Sequence, residues 1–165
     1  GRLPTMKMQD FFTRKRANEG VRLQLVDGTG NATDAWVIVR GFDSDAYRAA
    51  HDSLNRAMAR LASVVRTKGA DATLFAATQE EKDTEALAER AALVAAWSFE
   101  EPCTPAKVAE FLREAPYVSD QVYYFAQDRD RFFENCSATS TAGQNTNSDL
   151  AKQPQQEAPA PLPTL

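Results

Sequence analysis

Cys103 is the residue whose type best suits chemistry, because a thiolate is a strong nucleophile when its surroundings lower its pKa. It lies in AWSFEEPCTPAKVAEFLREAP, residues 96–116, beside Trp97, three prolines and the adjacent acids Glu100 and Glu101. His51 is the one histidine in the sequence. It falls four residues after Tyr47 and three before Leu54, at the border of an apolar stripe, where an imidazole is usually a boundary side chain. No motif brings Cys103 onto His51, and a general base is recognised by its geometry. The acidic pairs Glu80/Glu81, Glu100/Glu101, Asp43/Asp45 and Asp128/Asp130 stand at helix ends or on charged faces, where capping and solvation account for them. None has the spacing of a calcium loop. Cys103 and Cys136 are too far apart for a metal knuckle, and one pair is no disulfide framework. DGTGN, residues 27–31, lacks the lysine and the strand-to-helix context of a phosphate loop. The reading is a chain with no catalytic residue, no cofactor and no metal, in which Cys103 is a small residue at a tight joint.

The elements around these residues follow from periodicity. VRLQLV alternates Val21, Leu23 and Leu25 with polar residues, the pattern of a half-buried strand. A Gly-containing turn leads to the β-branched AWVIV, so residues 21–40 read as a hairpin. A long helix follows, capped by Asp43 or Ser44 and stopped at Gly69. Its apolar stripe is Tyr47, Leu54, Met58, Leu61 and Val65. A linker holding Leu74 and Phe75 as a small anchor precedes a second, Ala-rich helix expected from Glu80 to Trp97. Thr104 and Pro105 start a short third helix that ends before Pro116. A fourth is expected from Tyr117 to Asn135, with Val118, Val122, Phe125, Phe132 and Phe133 on its inner side.

The expected fold is therefore mainly α: a small helical domain, residues 20–136, with a short N-terminal β-hairpin. Residues 1–19 form a partly ordered arm whose Phe11 and Phe12 are able to fold back on the core. Residues 137–165, rich in Pro, Gln, Ser and Thr and without an aromatic residue, form a disordered C-terminal tail that cannot offset its ordering entropy.

Composition narrows the function classes. A net charge of −4 argues against a general nucleic-acid binder. The basic cluster of Arg14, Lys15, Arg16 and Arg22 reads as a solvated arm. No run reaches the ~18 apolar residues of a membrane span, and the sparse cysteines suit a reduced compartment. The expectation is a soluble intracellular protein that binds neither membrane nor specific nucleic acid.

Two stretches carry a family resemblance. GVRLQLVDGTGNATDAWVIVRGFDSDAYRAA and AAWSFEEPCTPAKVAEFLREAPYVSDQVYYFAQDRDRFF occur in this order. Gly41, Asp43, Ser44, Asp45, Tyr47 and Arg48 stand just before the long helix. Trp97, Pro105, Leu112, Pro116 and Phe125 mark the later joints. In these features, over residues 8–135, the chain resembles the tail assembly chaperones of long-tailed bacteriophages. The resemblance implies a non-catalytic role: binding the tape measure protein in the host cytoplasm, and absence from the mature virion. It also implies recruitment of tail-tube protein through a frameshifted, extended form, and the surplus of aromatic residues on the last helix makes self-association an expectation. The partner-binding face is expected on the last helix, at Tyr117, Tyr123, Tyr124, Phe125 and Arg129, a mixed aromatic and charged surface. Two other classes compete: a structural tail or connector component of the virion, which would carry more β structure, and an enzyme using Cys103.

Overall fold

The computed structural model describes residues 5–69 and 71–133. The expected tail, residues 137–165, and Cys136 lie outside them. The described chain is mainly helical, with a small antiparallel sheet near its start. Strands β1 (Val21–Val26) and β2 (Ala32–Val39) form the expected hairpin, with Val21 opposite Val39 and Leu23 opposite Val37. Alternation turns Val21, Leu23 and Leu25 into the core, while Arg22 stacks its guanidinium over Trp36 at 4.7 Å. The turn is organised by Asp27, whose carboxylate accepts from the Thr29 amide (2.8 Å), the Thr29 hydroxyl (2.7 Å) and the Asn31 amide (3.0 Å). These bonds hold the Asp27 carboxyl below its ordinary range, with the Thr29 hydroxyl the largest contributor.

Helix α2 (Asp45–Lys68) begins and ends where its sequence signals it. The buried Ser44 hydroxyl accepts the Tyr47 amide at 3.2 Å, and Gly69 closes the helix at φ +82°. Tyr47 and Leu61 of the stripe are buried, whereas Met58 stays exposed. The second helix departs from expectation at both ends. Helix α3 (Ala72–Ala91) starts inside the supposed linker, where Asp71 accepts the Leu74 amide at 2.7 Å. It stops before Trp97, and residues 94–97 form β3 (Val94–Trp97), antiparallel to β2 with Trp97 opposite Val37. The Ala-rich run is compatible with a helix, but the open edge of β2 offers partners for backbone groups, and tertiary pairing overrides local propensity. Phe75, expected as an anchor, is 62% exposed.

Helices α2 and α3 run antiparallel, and their charges are complementary. The first carries five basic residues against two acids, the second five acids against two basic residues. Arg60 pairs with Glu81, and His51 with Glu89, across the seam. Both helices are inserted between β2 and β3, and the ends of the insert meet. The Arg40 amide donates to the Leu93 carbonyl at 2.6 Å, and its guanidinium donates to the Ala92 and Val94 carbonyls at 2.9 and 3.3 Å.

Helix α4 (Pro105–Glu114) starts as expected, with Thr104 accepting the Lys107 amide at 3.2 Å and proline in the first turn. Helix α5 (Pro116–Gln127) is shorter than the expected run to Asn135. Asp128 breaks it by accepting the Asp130 amide at 3.1 Å and starting a 3-10 turn, Arg129–Phe132. That break drives Phe132 into the core, against Phe125 and over Gly41, where an added Cβ would lie 3.0 Å from the ring. At the N-terminus, α1 (Arg14–Glu19) is anchored by the fully buried Ala17. Phe11 and Phe12 do not fold back; both rings are exposed, since a core that closes on Ala17 and Phe132 offers them no pocket.

Candidate functional site

Most of the residues that suggested chemistry are held in structural contacts. Cys103 is half-buried against the core, and burial pushes its thiol pKa up, the opposite of what a nucleophile needs. His51 belongs to a different part of the molecule, where Nδ1 meets Glu89 and the ring stacks on Tyr47. Burial, reinforced by Glu89, raises the Tyr47 hydroxyl to about 12. Among the acids, Asp43 takes Arg129 and Thr13, and Asp45 takes Arg14 and Asn18. Asp128 pairs with the buried Arg131. The stretch around Cys103 is a joint: Trp97, Phe99 and Phe111 pack edge to face at 5.1 to 5.8 Å, and Trp97 Nε1 donates to the Glu101 carbonyl at 2.7 Å.

Helix α5 sorts the expected partner-binding residues by its periodicity. Val118, Val122 and Phe125 share the inward face, and Phe125 is only 2% exposed. It is a core residue that also lines the cleft between α5 and the β1–β2 turn. Tyr123 is half-buried: the Arg90 guanidinium sits 4.2 Å over its face, and Phe42 meets it edge to face at 5.3 Å. Arg129 grips both carboxylate oxygens of Asp43, at 2.9 and 3.1 Å, and so ties the 3-10 turn to the start of α2. Asp43 is accordingly held below the ordinary carboxylate range, chiefly by the Arg129 bond. Tyr117 and Tyr124, by contrast, are 47% and 65% exposed and point away from the core.

These two rings do not stand alone. They border an apolar cleft of about 600 Å³ between α5 and the β1–β2 turn, with Leu23, Val26 and Gly28 on the opposite wall. Gln121 holds the walls together. Its side-chain amide donates to the Val26 carbonyl at 3.0 Å, and its carbonyl accepts the Val26 amide at 3.1 Å. In this way one side chain stands in for a neighbouring strand at the end of β1 and blunts that edge. Gly28 lies under Tyr117, where a Cβ would sit 3.9 Å from the ring.

No protein-family model, curated protein or solved structure matches this chain.

Sequence reasoning singled out Tyr117 and Tyr124, which are exposed, but not the wall they face. The turn residues were read only against phosphate binding, and Gln121 reads as one more polar helix residue. Nothing in the sequence pairs it with Val26, 95 positions away. The cleft has two phenol rims, an apolar floor of Leu23, Val26 and Phe125, and the carboxylates Asp27 and Asp120 at its edge, a lining suited to burying an apolar side chain or one ridge of a helix.

Proposed function

We propose that this chain is a non-catalytic tail assembly chaperone of the kind long-tailed bacteriophages use to hold their tape measure protein before the tail tube grows around it. The observation that carries the reading is the pair of exposed tyrosines over the apolar cleft between α5 and the β1–β2 turn. Tyrosine gives large contact area at small entropic cost and is enriched in binding hot spots. A long helical partner presents apolar ridges repeatedly, and many copies, each holding one ridge weakly, gain from high local concentration. On this reading the protein acts in the host cytoplasm and leaves before the virion is complete. A longer, frameshifted form would recruit tail-tube protein.

Co-expression with the tape measure protein tests the reading. The wild-type chain is expected to keep that partner soluble and to co-purify with it. The double variant Tyr117→Ser/Tyr124→Ser is expected to lose capture at least tenfold while its circular dichroism and melting temperature stay unchanged. Equal capture by both chains would refute the assignment of the face. The third strand, which adds β structure beyond the hairpin, favours the alternative of a structural tail component. Stoichiometric presence in purified particles would decide for it.

A further inference from the structure

A second surface, built from other elements, goes beyond the chaperone reading and stands without it. Helix α4 has ten residues against twenty in α3, so much of the α3 face turned away from α2 lacks a helical neighbour. A groove of about 1110 Å³ runs there between the two helices. Along α3 it extends from Phe75 to Ala91, about 24 Å at 1.5 Å per residue, or more than four helical turns. Its floor is mostly small side chains, with Ala76, Ala88 and Ala91 from α3 and Ala106 and Ala109 from α4, and Leu87 standing among them. Small residues let a third helix approach to the short end of the 8–10 Å range of packed helices. Phe75 stands at the open end, 62% exposed and without a ring partner among the described residues.

The rim decides what kind of helix fits. Glu80 and Asp83 face the groove, and neither makes an ion pair among the described residues; Asp83 only accepts the Gln79 amide at 3.0 Å. Arg113 on the far wall is already paired with Glu114 at 3.3 Å. The groove is thus apolar along its floor and net negative along its rim. We propose that it docks an amphipathic helix of a partner protein, with an apolar stripe for the alanine floor and lysine or arginine on the flank that meets Glu80 and Asp83. The geometry matches helix-in-groove recognition, in which apolar anchors at i, i+3/i+4 and i+7 supply contact and flanking charge sets the direction of docking.

A synthetic helix of about 18 residues, long enough to fill the groove, serves as the probe. It carries leucines at i, i+3/i+4 spacing and lysines along one flank, and a twin carries glutamates instead. Titrated by fluorescence anisotropy against the full chain, the lysine probe is expected to bind at least tenfold tighter than its twin. The variant Glu80→Lys/Asp83→Lys should reverse that preference, and Ala106→Trp should block both probes. Tyr117→Ser/Tyr124→Ser should leave binding unchanged, which separates this groove from the tyrosine cleft. The proposal is overturned if either groove variant binds the lysine probe as wild type does, or if the two probes bind alike. It is equally overturned if sedimentation shows a dimer that Glu80→Lys/Asp83→Lys dissolves, since the groove would then belong to the basic α2 of a second copy.

Discussion

Replacing Gln121 by alanine removes both hydrogen bonds that join α5 to the end of β1, at 3.0 and 3.1 Å. Each is expected to contribute ~0.5–1.5 kcal/mol net. Val26 and Gln121 are both half-exposed, so water recovers part of the loss for the orphaned amide and carbonyl. The expected cost is about 1.5–2 kcal/mol, or roughly a 3–8 °C fall in melting temperature for a chain of this size. Urea unfolding followed through tryptophan fluorescence measures it. Gln121→Glu separates the two bonds. Its carboxylate still accepts the Val26 amide, but an ionised oxygen then faces the Val26 carbonyl in place of a donor. The folded state therefore raises the pKa of this glutamate above its unfolded value of about 4.3. Its neutral form, which can donate, gives stability that is fully present below the unfolded value and lost as pH rises through the folded one. The deficit against wild type, measured at each pH, should shrink between pH 7 and pH 4. If Gln121→Ala costs under about 0.5 kcal/mol, or if the glutamate deficit is flat with pH, the clamp does not hold the strand.

Three further outcomes follow from other contacts. Phe132→Ala empties a fully buried site against Phe125 and Gly41 and should cost about 3–5 kcal/mol in urea unfolding. Asp43→Asn should lower stability by ~0.5–1 kcal/mol at pH 7, a modest figure because Arg129 is largely exposed. Because the folded Asp43 pKa is depressed, its stabilisation is present above the unfolded value and lost as pH falls through the folded one, so the variant and wild type should converge as pH drops below the ordinary aspartate range. In a Cys136→Ser background, the raised pKa of half-buried Cys103 should make its reaction with a disulfide reagent at pH 8 at least tenfold slower than that of free cysteine. A rate equal to the free thiol would restore Cys103 as a reactive group.

Local signals were read well where one element decides its own fate. Ser44 and Gly69 bound α2, Thr104 and Pro105 start α4, and the alternation of β1 gives its inward face. The failures occur where a distant partner decides. Residues 94–97 carry the composition of a helix end, yet the uncovered edge of β2 makes them a strand. Asp128 looks like one more surface acid until its side chain caps the turn that buries Phe132. Within the site, the tyrosines of the last helix were legible as a cluster, but not which of them face solvent. Phe125 aligns with Val118 and Val122 toward the core and lines the cleft from there. The cleft itself was not legible, because its second wall comes from a hairpin nearly a hundred positions earlier.

The closed stem at Arg40 and Leu93 makes the α2–α3 insert an excursion from the sheet that is anchored to the body at its base and projects at its tip. The backbone leaves the sheet at one point and returns to it at the same point, so the strand register on either side is indifferent to what lies between. Equal numbers of helical turns could be trimmed from or grafted onto the tip, near Gly69, without rethreading the body. The helical pair would then serve as a ruler of adjustable reach carried on a fixed base.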